Sequence, residues 1–127
     1  MNILVLALSG IGDALMFTPA LRVLRQRFAE ASIDVLVMYR GASDIFEHNP
    51  CVNRVLHWDF LREGAVRSLK YLLHLRGSYD VTLNVYPSNR REYNLVQYLI
   101  GAERRLGVRY LRGDRTNFGF LNNGRVD

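Results

Sequence analysis

Residues Ile3 to Leu8 form an uninterrupted apolar run that ends in Ser9-Gly10-Ile11-Gly12-Asp13, and this junction limits the chain's options more than any other stretch. Consecutive apolar residues of this number fit a short strand buried on both faces of a parallel sheet. The small residues that follow suit a turn into a helix, and Gly10 and Gly12 let the backbone turn sharply while leaving space above it for a ligand. Asp13 is placed to act as the N-cap, its carboxylate accepting from the free N–H groups of the first helical turn. In an open α/β sheet such a loop lies at the carboxyl end of the first strand, where ligands are held.

The residues of the loop discriminate among ligands. A dinucleotide fingerprint counted from Gly10 puts Leu15 at its third small position, and Met38-Tyr39-Arg40 stand where the second strand should end in an acid, so NAD(P) is disfavoured. A phosphate cradle is disfavoured by Asp13 itself, because a carboxylate at a helix N-terminus takes the place of the anion. Two readings of Asp13 stay open. It is either a rigidly held base that removes a proton from a neutral hydroxyl, or a helix cap and nothing more.

Along the chain, apolar periodicity alternates between strand and helix. Ala14, Phe17, Leu21, Leu24 and Phe28 recur at helical spacing, with Arg22, Arg25, Gln26 and Arg27 mostly on the other side. Pro19 lacks the N–H that would reach Leu15, which predicts a kink or tightened turn near Thr18. Ile33 to Met38 is the second strand, Gly41 to His48 a short helix or turn stopped by Asn49-Pro50, and Arg54 to Trp58 the third strand. A helix from Leu61 to Arg76 stops at Gly77, Val81 to Tyr86 is the fourth strand, and Arg91 to Ile100 is a helix ended by Gly101. Leu106 to Val108 suggests a short fifth strand.

The fold class expected from this alternation is α/β, a Rossmann-like parallel sheet in the order 3-2-1-4-5 flanked by helices. That order puts a switch point between strands one and four. The Ser9 to Asp13 loop then faces the Pro87 to Arg91 loop across one crevice. There Ser88 and Asn89 suit the orienting of hydroxyls, and Arg90 and Arg91 the holding of phosphate or carboxylate. The competing reading of this second loop is plain helix initiation, with Ser88 or Asn89 as cap.

The chain's 127 residues suit one domain, and 49% apolar residues supply a core. No apolar run has the length of a membrane span, and no basic segment precedes the first run as in a signal peptide. Cys51, the single cysteine, excludes an internal disulfide, suits a reducing compartment, and forms no metal-ligand spacing with His48 or His57. Residues 61–127 carry 12 basic and 6 acidic groups, against 5 and 6 before them, and all but one of the basic residues is arginine. An anionic partner for the second half is expected, although solvated helix faces account for any single arginine. Nucleic acid is not expected as that partner, since no reading motif is present. After Arg109 the pattern fails, so residues 1–108 form the domain and 109–127 an irregular tail or linker.

The segments Ile3-Leu4-Val5-Leu6, Ser9-Gly10-Ile11-Gly12-Asp13, Thr18-Pro19-Ala20-Leu21, Ile33-Asp34-Val35-Leu36-Val37 and His48-Asn49-Pro50-Cys51-Val52-Asn53-Arg54-Val55 together resemble glycosyltransferase family 9, the ADP-heptose:lipopolysaccharide heptosyltransferases. Pro87 to Tyr93 and Leu99 to Gly107 are similar to a subgroup of it. The resemblance spans residues 3–108 and matches the N-terminal half of the family's two-domain GT-B enzymes. It implies an inverting glycosyltransferase whose N-terminal domain takes a lipopolysaccharide-core or related acceptor, an anionic glycan or glycolipid. A C-terminal domain, absent from these residues and joined through the tail, would hold a nucleotide sugar such as ADP-heptose. That donor is a substrate, and no cofactor or metal is implied.

Asp13 matches the family's catalytic base, and Ser9, Gly10, Gly12, Ser88, Asn89, Arg90 and Arg91 are the expected acceptor-binding positions. Arg62, Arg67 and Lys70 follow the third strand near the family's basic acceptor contacts and are expected to meet phosphates. Tyr86-Pro87-Ser88-Asn89 departs from the family's more common glutamine and glycine. The resemblance also implies a cytoplasmic protein, peripherally associated with the inner face of the cytoplasmic membrane. The chain alone is expected not to complete a turnover, and apolar surface at the domain junction is expected to favour self-association. The alternative is a free-standing Rossmann-like module that binds a nucleotide or acidic ligand without catalysis.

Overall fold

The computed structural model describes residues 1–85, 90–108 and 118–126. Strand and helix alternate as β1 (Asn2–Ala7), α1 (Ile11–Arg27), β2 (Ser32–Val37), α2 (Arg40–Glu47), β3 (Arg54–His57), α3 (Phe60–Leu75), β4 (Val81–Asn84), α4 (Arg91–Ile100) and β5 (Arg104–Val108), followed by a 3-10 turn at Gly119–Leu121 and β6 (Gly124–Val126). Every pairing is parallel, in the order β3-β2-β1-β4-β5-β6. The expected order 3-2-1-4-5 is therefore present, extended by one strand.

Side chains of β1 and β2 alternate between the faces of the sheet, which is why both strands read as continuous apolar runs. Ile3, Val5, Ala7, Ile33, Val35 and Val37 join Ala14, Leu21, Ala42 and Phe46 under α1 and α2. Leu4, Leu6, Leu8, Leu36 and Met38 join Leu72, Leu75, Val96 and Ile100 under α3 and α4. Phe46 and Leu21 are wholly buried.

Local chemistry sets the helix ends. α1 continues through Pro19, because the Thr18 hydroxyl donates at 2.8 Å to the Leu15 carbonyl that the proline leaves without its amide. Asp59 caps α3 by accepting from the amides of Leu61 and Arg62, and this fixes a helix start just ahead of the one expected. Within α3, Gly64 has φ 80° and ψ 173°, so the capped turn is separated from the helix proper. The expected stop at Gly101 is a left-handed C-cap, and Arg76 donates to the Leu99 carbonyl beside it at 3.1 Å.

Within the expected tail, 109–117 lie outside the described residues, and 118–126 carry more order than the sequence suggests. β6 extends the sheet beside β5, held by side chains rather than by an apolar period. Asn123 accepts from the Arg105 amide at 2.7 Å and donates to the Glu103 carbonyl, and the Arg105 guanidinium donates to the carbonyls of Leu121 and Ala102. β5 likewise begins earlier than expected, at Arg104, whose amide donates to the Asp80 carbonyl, while the contacts above hold Arg105 in the strand.

At the amino end of the sheet the Tyr79 hydroxyl donates to the buried Asp34 carboxylate at 2.7 Å, and Arg54 lies 3.4 Å from the same oxygen. Burial, then the bond to Asp34, pushes the Tyr79 pKa up to about 12. Among the described residues no helix is long and apolar enough to cross a membrane.

Candidate functional site

The crevice lies at the carboxyl ends of β1 and β4, which are neighbours in the sheet. The N-cap of α1 is Gly10, in an extended conformation, and no side chain caps it. This corrects the assignment of the cap to Asp13, which stands three residues further on, in the first turn and partly exposed. A carboxylate there is favoured by the helix dipole without closing off the leading amides. Among the described residues no hydrogen bond or ion pair engages the Asp13 carboxylate.

Neither Gly10 nor Gly12 has the positive φ that a sharp glycine turn would require. A Cβ added at either would meet nothing within 4 Å, so their contribution is open space above the backbone. Close approach occurs instead at Gly41, at the start of α2, where an added Cβ would collide with Ile11. The leading turns of α1 and α2 therefore pack directly together on one side of the crevice.

On the other side, Tyr93 in the first turn of α4 reaches across to the loop that follows β1. Its hydroxyl donates to the Leu8 carbonyl at 3.3 Å and accepts from Ser9. Burial raises the Tyr93 pKa, against the opposing pull of the nearby Arg90 guanidinium and the Ser9 hydrogen bond. Sequence reasoning missed Tyr93, since an aromatic residue on an amphipathic helix reads as core. Arg90 is the N-cap residue of α4 and is exposed, while Arg91 is exposed and ion-paired with Glu92 at 3.7 Å. Ser88 and Asn89 lie outside the described residues.

Behind the crevice α4 is anchored by amides. Gln97, wholly buried, accepts from Asn84 at 2.7 Å and donates to the carbonyls of Thr82 and Leu106. Asn94 accepts from Asn122 at 2.9 Å, which ties the segment after residue 117 to the same helix. Asn94 and Gln97 stand three apart on the inward stripe of α4, a polar spacing that was visible in the sequence and went unused.

A groove of about 520 Å³ opens between α3 and α4, reaching Leu8 and Arg90 at the crevice. Arg62, Arg67 and Lys70 do not line it. All three are exposed, and Arg67 is ion-paired with Glu63 at 3.0 Å. Part of the arginine excess is structural, since Arg76 and Arg105 spend their donors on backbone carbonyls and Arg105 also lies over the Tyr98 ring.

This architecture is that of one Rossmann-like α/β domain. The solved structures it resembles are heptosyltransferases and their relatives. It superposes on E. coli ADP-heptose lps heptosyltransferase II with a TM-score of 0.76 and 29% identity, covering 100% of this chain and 35% of that one. E. coli heptosyltransferase WaaC with ADP-2-deoxy-2-fluoro heptose gives 0.78 at 18% identity, covering 99% and 42%. The glycosyl transferase family 9 protein from Veillonella parvula gives 0.75 at 20% identity, covering 99% and 35%. The chain thus spans well under half the length of the structures it matches, and the resemblance drawn from its segments is borne out across its whole length. No protein-family model matches the sequence, and no curated protein matches it.

Proposed function

We propose that the chain is the acceptor domain of an inverting glycosyltransferase, with Asp13 as general base. The observation that carries this reading is a carboxylate in the first turn of α1 that no described residue engages, at the carboxyl end of β1 and near two glycines with open space above them. Asp13 takes the proton of an acceptor hydroxyl as that oxygen attacks the anomeric carbon. The bond from that carbon to the nucleoside diphosphate breaks, and the diphosphate leaves with the electron pair. The donor, a nucleotide sugar such as ADP-heptose, is held by residues outside this chain. The acceptor is an anionic glycan or glycolipid of the lipopolysaccharide-core type, and Arg90 and Arg91, both exposed at the start of α4, contact its acidic groups. Such an acceptor places the protein in the cytoplasm, at the inner face of the membrane.

The test is turnover by the full natural gene product, with ADP-heptose as donor and a core oligosaccharide as acceptor. Asp13→Asn is expected to lower kcat by about 10²-fold or more with acceptor binding retained. Equal turnover in the two proteins would reduce Asp13 to an electrostatic aid to its helix.

The uncapped N-terminus of α1 favours a second reading, a module that binds a nucleotide or acidic ligand without chemistry. On that reading this chain alone binds ADP tightly, and no donor is consumed.

A further inference from the structure

The turn that carries Asp13 has little of its own to hold it. Gly10 and Gly12 have no side chains, and Ile11 between them lies against Gly41 at the start of α2. Leu8 is buried one residue past the end of β1, where its carbonyl still needs a donor. The Tyr93 hydroxyl supplies one at 3.3 Å and is hydrogen-bonded to Ser9 as well. A single oxygen thus holds two consecutive residues of the strand-to-helix turn, from 85 positions away in the sequence.

The rest of Tyr93 fixes where that oxygen points. Its ring packs against the buried cluster that includes Leu4, Leu6, Leu8, Leu72 and Val96, so core packing aims the hydroxyl. One turn further along α4, Gln97 meets Asn84 and the carbonyls of Thr82 and Leu106. The tether therefore runs from the strands, through α4, to the turn ahead of α1.

We propose that Tyr93 is a positioning residue for Asp13, its hydroxyl holding Leu8 and Ser9 so that α1 starts in one place. It touches no reacting atom. The inference rests on Asp13 as the base and deepens that reading by naming what fixes the base in the crevice.

The test uses the full natural gene product with the donor and acceptor given above. Tyr93→Phe keeps the ring in the core and removes only the oxygen. It is expected to lower kcat about tenfold, the scale of effect that follows when a reacting group is slightly misplaced. The acceptor KM should stay within about twofold. The pH–rate profile should fall without changing shape, whereas loss of a group that itself transferred a proton would remove one limb. Ser9→Ala, which removes one of the two contacts, should cost about threefold. In the Asp13→Asn background Tyr93→Phe should cost nothing further, because no base is left to aim. Amide exchange gives a readout apart from turnover. Peptides covering residues 9–14 should exchange about tenfold faster in Tyr93→Phe, and those from α2 at the wild-type rate.

Wild-type kcat in Tyr93→Phe beside an impaired Asp13→Asn would overturn the tether and leave the base standing. A full tenfold loss in the Asp13→Asn background, or faster exchange throughout the domain, would overturn it too, making Tyr93 a general support of the fold. Wild-type turnover by Asp13→Asn would instead overturn the base itself, and the aiming with it.

Discussion

The two faces of the sheet are built from similar strands and finished differently. Under α1 and α2 the strands meet alanines, with Ala14 and Ala42 buried and Gly41 tight against Ile11, so the helices come down close and Phe46 is sealed. Under α3 and α4 the strands meet the larger Leu72 and Val96, and a groove lined by both helices opens at the surface. Closeness on the first face keeps the turn carrying Asp13 in place. Small residues where helix meets helix thus accompany the sealed face, and larger ones the face that keeps a groove.

Substitutions can break this contrast, beginning with its strongest point. Phe46→Ala is expected to cost about 3–5 kcal/mol in chemical denaturation, because the sealed face cannot collapse around the gap. Leu61→Ala, at a side chain 80% exposed on the open face, should change stability by no more than about 0.5 kcal/mol. If the two variants lose comparable stability, the faces do not differ as described.

The polar anchor of the open face comes next. Gln97→Leu removes the partner of Asn84 and of two strand carbonyls, and a loss of about 2–3 kcal/mol is expected by the same measurement. Asp59→Ala frees two amides of the hinged turn and should cost about 1 kcal/mol. Helical content beyond Gly64 should be unaffected, which amide exchange along α3 would check.

A pH dependence, confined to alkaline solution, completes the series. Tyr79 keeps its proton in the fold until about pH 12, whereas the unfolded chain releases it near the ordinary tyrosine value. Its contribution is therefore complete below about pH 10 and is lost as pH rises toward the folded value. Tyr79→Phe should flatten that decline in alkaline denaturation curves.

What was legible in the sequence followed from burial. β1 and β2 announce themselves because strands buried on both faces must be apolar throughout, and with them came the alternation, the strand order and the crevice. β6 was hidden because Gly124-Arg125-Val126 carries no apolar period, and its place is set by Asn123 and Arg105 across the chain. The break at Gly64 was equally silent, since the apolar stripe of α3 continues on both sides of it. At the site, the location of Asp13 could be inferred, but its relation to the helix cap could not, because Gly10 and Asp13 are both good N-terminal residues. The groove was beyond reach, as it depends on how the side chains of two helices and two strand ends come together in space.

At the far end of α1 the five guanidinium donors of Arg25 reach the carbonyls of Cys51, Ala29 and Ala31 and the side chain of Asn53. That end of the helix is riveted to two loops, while its leading end is uncapped. Asp13 lies about 18 Å up the helix from this rivet at the standard rise. The helix is in effect a lever with Arg25 as its fulcrum, and over that arm a tilt of about 3° carries the carboxylate through about 1 Å. For the base proposed above, displacements of that order separate productive from unproductive alignment, and Arg25 then sets its aim from far outside the crevice.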